Sequence, residues 1–332
     1  MSTPQSPVIR LSEVPAEGVE WLWPGRIPKG RLTLLAGDPG CGKTFLSLDL
    51  AARASAGKQW PDGQAGSPPA DVVVLNAEDA AGDTLRPRLE VLGADVNRVW
   101  VLSSGTLLSL DAGTARLEAV IKEHRPALVV IDPLTAFIGG GLDTIRDTQT
   151  RTLLLTPLAI LAQKYHTAIL LLCHLNKNEK QSLIYRASGS IAFVAAVRAG
   201  YLLSKEKKVT ERRLLSTVKF NLGPEPPTLA FHFTGQGSIE WDEAAVFSSG
   251  SFEDAAELER LEAEWFLLDI LAEGPVLITE VLGAAREQGL SRATVYRARA
   301  RLGVQSFQPE GVAGTARFWR LPPSSAPETV ET

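Results

Sequence analysis

Residues Gly37 to Thr44 read GDPGCGKT, which satisfies G-x-x-x-x-G-K-[ST] between an apolar run at 31–36 and an amphipathic stretch, FLSLDLAARA. A strand, a glycine-rich turn and a helix in that order leave few folds open, because the turn must end a buried strand with its N–H groups converging on one point. Gly37, Gly40 and Gly42 let the backbone wrap closely around an anion, with Asp38, Pro39, Cys41 and Phe45 completing the loop and the first helical turn. Lys43 brings positive charge to a polyphosphate, and the Thr44 hydroxyl is a ligand for Mg²⁺. The pattern predicts an ATP-binding loop.

Further apolar runs at 72–76, 99–102, 127–131 and 168–173 lack strict alternation, which suits strands buried on both faces, and the spacing between them suits crossover helices. The predicted class is α/β with a mostly parallel sheet. From about residue 199 the runs crowd together, at 200–204, 214–220 and 229–233, and short connections of that kind predict antiparallel strands at the sheet edge. The charged segment SKEKKVTERR between the first two reads as solvent-facing.

Three strand ends carry chemistry. Asp132 closes ALVVID, where a carboxylate can hold the magnesium shell. Glu78 and Asp79 follow VVVLN, and one of them, Glu78 in the first instance, is placed to orient and deprotonate a water. His174 ends AILLLCH and would face the same crevice. His124, His166 and His232 have no such company and read as structural or surface residues; four scattered histidines make no metal cluster.

Together these residues resemble the RecA-like ATPases, in particular the hexameric replicative-helicase branch with the RepA-type plasmid helicase and the DnaB-type enzymes. The likeness runs from about residue 21 to 241 and takes in WLWPGRIPKG, Glu78, Asp132, His174, YRASGSIAFVAAVR and VKFNLGP. It implies a homo-hexamer with nucleotide between subunits and a neighbour's cation reaching the γ-phosphate. Arg198 matches the arginine-finger position, Lys219 the basic residue on the late strand, and Arg186 is a third candidate. It also implies two loops directed at single-stranded DNA, one with Arg146 and Arg151, the other with Lys177, Lys180, Arg186 and Tyr185. DnaB-type chains carry a helical domain before the motor, and none is expected here.

The chain has 34 basic and 38 acidic residues, a formal charge of −4, so nucleic-acid contact must come from local patches. Seven arginines lie between Arg286 and Arg320 against Glu287 and Glu310. That stretch resembles a winged helix: three helical segments and a hairpin, with Ser291 as N-cap of the third helix. Arg292, Thr294, Tyr296 and Arg299 would line a face for a major groove and Arg317 would sit on the wing, with Val295, Leu302, Phe318 and Trp319 in the core. The partner there is duplex DNA or a replication protein.

The expected organisation is a tail at 1–20, the RecA-like ATPase domain at 21–245, a linker at 246–261, the winged helix at 262–321 and a disordered tail at 322–332. Two distant cysteines, Cys41 and Cys173, exclude a disulfide framework, and no signal-like or membrane-length apolar run is present, so a cytoplasmic protein is expected. The leading reading is a DNA motor that moves on single strands. Alternatives are an ATP-regulated DNA-binding regulator and a recombinase-like filament without unwinding activity. A serine hydrolase is disfavoured, since no G-x-S-x-G occurs.

Overall fold

The structure, a computed structural model, describes residues 10–102, 110, 114–138, 151–175, 191–206, 209, 211–235, 237–242, 263–264, 266–272, 274–287, 290–308 and 317–322. The chain forms two compact units, Met1–Phe247 and Ser248–Thr332.

The first unit opens with β1 (Trp21–Trp23) and β2 (Ile27–Pro28), a short antiparallel pair. There follow β3 (Leu32–Gly37), α1 (Lys43–Ala56), β4 (Val72–Asn76), α2 (Arg86–Val91), β5 (Val99–Val101), α3 (Ala115–His124) and β6 (Leu128–Asp132). Next come α4 (Thr156–Tyr165), β7 (Ala168–His174), α5 (Ile191–Ala196), β8 (Ala199–Lys205), β9 (Arg212–Phe220), β10 (Leu229–Phe233) and β11 (Ile239–Trp241). Nine strands form one sheet in the order β11-β10-β9-β8-β3-β7-β6-β4-β5. The pairs from β8 through β5 are parallel and those from β8 to β11 antiparallel, the expected α/β class with antiparallel edge strands.

Every residue of β3 and β6 is buried, as is β7 up to Cys173, because crossover helices cover both faces. These strands run a residue past the expected apolar stretches. Gly37 pairs with both His174 and Leu203, so the ladder holds the phosphate-loop glycine although it adds no apolar surface. Helix α1 packs Leu46, Leu50 and Ala51 into the main core, each such leucine contributing about 2 kcal/mol of burial.

Two features were not expected from the sequence. The segment WLWPGRIPKG is a buried brace: Trp23 stacks on Trp60 at 5.3 Å, and the guanidinium of Arg26 donates to Asp62 at 3.1 Å and to the Pro227 carbonyl at 2.7 Å. The reading of SKEKKVTERR as solvent-facing is corrected for its last residues. Arg213 is only 8 % exposed and donates from Nε to the Cys41 carbonyl at 3.1 Å, because β9 returns its end beside the phosphate loop. Arg212 pairs with Glu206 at 3.2 Å and with Asp242 at 2.6 Å.

In the second unit a helical segment at 266–270 precedes β12 (Val276–Leu277), α6 (Ile278–Glu287), α7 (Arg292–Arg301), β13 (Gln305–Phe307) and β14 (Phe318–Arg320). The three strands form an antiparallel sheet in the order β12-β14-β13 around a core that includes Leu267, Val281, Val295 and Trp319. Ser291 caps α7, its hydroxyl accepting from the Thr294 N–H at 3.1 Å. Two expectations for the exposed face of α7 are corrected. Thr294 is fully buried, and Arg299 lies over the Trp319 ring at 5.2 Å with its Nε on the Val304 carbonyl. Arg292, Tyr296 and Arg297 are exposed, with the Tyr296 ring meeting Trp319 of β14 edge-on at 5.3 Å.

Candidate functional site

The site is built where parallel strands end. Gly37 ends β3 in register with His174 at the end of β7, and Asn76 ends β4 in register with Asp132 at the end of β6. In the loop between β3 and α1, Gly40 and Gly42 have φ of +72° and +104°, a region L side chains rarely adopt. A Cβ on Gly42 would also collide with the Phe233 ring, and one on Gly37 would lie 2.5 Å from the Leu203 carbonyl and 2.7 Å from Cys41 Sγ. Packing against the loop therefore holds Gly37 and Gly42 to glycine.

Lys43 is 4 % exposed, and its ammonium lies 2.8 Å from the Gly37 carbonyl, 3.0 Å from the Asp38 carbonyl and 3.1 Å from His174 Nδ1. A lysine ammonium only donates, so His174 accepts at Nδ1 and carries its hydrogen on Nε2, which lies 3.7 Å from Glu78 Oε1. Burial and the Lys43 charge hold the imidazole below its ordinary pKa against the opposing pull of Glu78. The Cys41 thiol is pushed up by burial, partly offset by Lys43.

The Thr44 hydroxyl donates to Asp132 Oδ2 at 2.6 Å. Burial pushes the Asp132 carboxyl up to about 6, the Thr44 bond opposing it and the Glu78 charge adding to it. A hydroxyl beside one carboxylate suits a cation that takes hard oxygen ligands and keeps most of its coordination for waters and phosphates, as Mg²⁺ does. Among the described residues no group of three His, Cys, Asp or Glu could hold a metal by protein ligands alone.

The turn after β4 separates the two acidic candidates. Glu78 is 59 % exposed at its side chain and faces His174, whereas the Asp79 carboxylate is tied to Arg88 at 2.9 Å. The carboxylate that remains available to a water is that of Glu78. Both backbone N–H groups donate to the Asn76 amide oxygen, at 2.9 and 2.7 Å.

Sequence reasoning missed four side chains here: Asn76, Arg88, Arg213 and Phe233. The guanidinium of Arg88 lies 4.4 Å from the Phe45 ring centre, Phe45 meets Phe233 edge-on at 5.2 Å, and Arg213 lies over Phe233 at 5.3 Å. These flat, partly cationic surfaces border the start of α1 and can stack on an aromatic ring. Only Asn76 had a local signal, an Asn two residues before an acidic pair at a strand end.

The expected finger residues stand elsewhere. The Arg198 N–H donates to the Leu32 carbonyl at the start of β3, and Lys219 pairs in register with Gly200 near the start of β8. Along the strands Arg198 is therefore about 16 Å and Lys219 about 10 Å from the phosphate loop of their own chain. Arg198 is exposed, while Lys219 donates from Nζ to the Val194 carbonyl at 2.9 Å. His124 stacks on Trp100, His232 meets Asp242 at 3.2 Å, and His166 ends α4 with a left-handed backbone. Arg146, Lys177, Lys180 and Arg186 lie outside the described residues. Among the described residues no helix is long and apolar enough to cross a membrane.

A family model described as AAA domain matches residues 2–180. Over 134 residues the chain is 31% identical to the DNA repair protein RadA of Mycolicibacterium smegmatis, an alignment that covers 38% of this chain and 24% of RadA. The chain thus spans about a quarter of the length of that curated relative. The crystal structure of the RadB recombinase matches with a TM-score of 0.50 over 66% of this chain and 94% of that one, at 18% identity, a likeness of fold. With the phosphate loop after β3 and acidic residues after β4 and at the end of β6, the chain belongs to the AAA domain family, with the P-loop α/β fold that the RadB recombinase structure shares.

Proposed function

We propose that the chain is an Mg²⁺- and ATP-dependent DNA motor, a hexameric helicase-like ATPase of a phage, plasmid or other mobile element that moves on single-stranded DNA. The observation that carries this reading is the convergence of Lys43, Thr44, Asp132, Glu78 and His174 on one edge of the sheet, with Arg198 and Lys219 at the opposite edge. In this reading the loop N–H groups and Lys43 hold the phosphates, and Arg88, Phe45 and Phe233 offer surfaces to the base. Thr44 and Asp132 hold Mg²⁺, which when bound neutralises charge on the phosphate oxygens. Glu78 accepts the proton of the attacking water. His174 stands between that carboxylate and Lys43, where it registers whether Lys43 is engaged by phosphate.

Arg198 or Lys219 of a neighbouring copy completes the site, so hydrolysis depends on assembly. Single-stranded DNA is assigned to Arg146, Lys177, Lys180 and Arg186. The second unit is assigned as a winged helix on its order of elements, with the exposed Arg292, Tyr296 and Arg297 turned to duplex DNA or a replication protein. RadA's description as a DNA repair protein supports nucleic acid as the partner.

The likeness to RadA and the RadB recombinase favours a second reading, a recombinase-like filament that hydrolyses ATP on DNA without unwinding it. The test is ATP hydrolysis with and without single-stranded DNA, beside light scattering and strand displacement. Stimulation, a mass of about six subunits and displacement support the motor. Stimulation with open-ended assemblies and no displacement supports the filament. A DNA-indifferent rate in a small oligomer overturns both in favour of an ATP-regulated DNA-binding regulator.

A further inference from the structure

We propose that Asn76 is a positioning residue for hydrolysis, holding the Glu78 turn and Asp132 as one unit. The inference rests on the reading of Glu78 as the residue that activates water. At the end of β4 the Asn76 amide oxygen accepts both the Glu78 and the Asp79 N–H, at 2.9 and 2.7 Å. Its amide nitrogen then faces Asp132 Oδ2 in a longer contact of 3.4 Å, and the Ala77 N–H donates to the Asp132 carbonyl at 3.1 Å. The orientation of the amide is dictated by its partners: two donors on one side demand the oxygen there, which leaves the nitrogen for the carboxylate.

The same logic explains why this position is an amide. Aspartate would cap the turn equally well but would set a second negative charge in register with Asp132. Serine would cap it from a shorter side chain and would not reach across to β6. Asn76 thus links the end of β4, from which Glu78 projects, to the end of β6, which carries the carboxylate assigned to Mg²⁺. A displacement of either strand end moves both acidic residues together, and the distance from water to phosphate is held.

The test is steady-state hydrolysis by the full chain, with ATP affinity measured separately by calorimetry, for Asn76→Ala and Asn76→Ser, each alone and combined with Glu78→Gln. Asn76→Ala should lower kcat by about tenfold to a hundredfold while ATP affinity stays within about threefold. Asn76→Ser, which keeps a short cap, should recover part of that loss. In the Glu78→Gln background neither substitution should lower the residual rate further. A kcat within about threefold of wild type for Asn76→Ala overturns the proposal, and so does an equal loss in the Glu78→Gln background. Should Asn76→Ala fail to fold, the same comparison is read on Asn76→Ser, where a full kcat or an equal loss without Glu78 has the same meaning. If Glu78→Gln itself turns over normally, the reading of Glu78 fails first. A dead Glu78→Gln beside an unaffected Asn76→Ala rejects Asn76 alone.

Discussion

Lys43 Nζ and His174 Nδ1 lie 3.1 Å apart, so the phosphate-loop cation adds to burial in holding the imidazole at the end of β7 below its ordinary pKa. Removing the cation with Lys43→Met should raise the His174 pKa, because one of the two influences depressing it is gone. Glu78→Gln should lower it, because the opposing carboxylate is gone. A pH titration of the His174 ring by NMR in both variants reads the two signs, and an unchanged His174 in Lys43→Met would show that the pair does not interact in solution. The same Lys43 variant should lose hydrolysis by at least about a hundredfold, since phosphate charge loses its cation.

Glu78 and Asp79 are neighbours with different fates. Glu78→Gln should retain ATP binding and lose about a hundredfold or more in turnover. Asp79→Asn should cost less than about tenfold, because its carboxylate is already committed to Arg88 at 2.9 Å. Single-turnover kinetics with both variants would expose the reverse order, which would transfer the base to Asp79.

Arg198 and Lys219 part company in stability. Arg198→Ala removes an exposed side chain and should leave the melting temperature within about 1 °C. Lys219→Ala breaks the bond to the Val194 carbonyl and should cost about 1 kcal/mol. Mixing Arg198→Ala with Lys43→Ala protein should restore some hydrolysis at hybrid interfaces. Strictly additive, inactive mixtures would argue that no finger acts between copies.

Asp132 is held neutral more readily than a free carboxylate, with a pKa of about 6. Between the ordinary carboxylate value and that figure the folded chain binds more protons than the unfolded one, so ionisation of Asp132 destabilises the fold as pH rises through about 6. Asp132→Asn should therefore stabilise the metal-free protein by about 2 kcal/mol at pH near 8 and by nothing near pH 4, while abolishing hydrolysis. Thermal melts at the two pH values, without magnesium or nucleotide, check the sign; equal shifts at both would rule out ionisation as the cause.

What the sequence made legible was set by short-range pattern. The loop from Gly37 to Thr44, the apolar runs that became β3, β4, β6 and β7, and the acidic or basic residues closing those runs all declare themselves within a few positions. The rest depended on partners far along the chain. Arg213 is tied to Cys41 across 172 positions, so its charge read as solvent-facing, and Arg26 is tied to Pro227 across 201, a partner that no local pattern announces. Thr294 and Arg299 were assigned to the wrong face of α7 because that helix is polar nearly all round, and only β14 decides which side is covered. Strands β1, β2 and β11 are two or three residues long, too short for any period to show.

The parallel strands have a further consequence through their direction. Each copy presents hydrolytic residues at the carboxyl ends of β3, β4, β6 and β7, and the cations assigned to a neighbour at the opposite ends. Such a surface is not self-complementary, and a two-fold dimer would leave both sites unfinished. If a neighbour's Arg198 or Lys219 completes the site, as proposed, the contact is heterologous, head to tail, and copies add with one polarity until the rotation per subunit closes a ring or winds a helix. A closed ring fires every site, and an open array always keeps one terminal site idle.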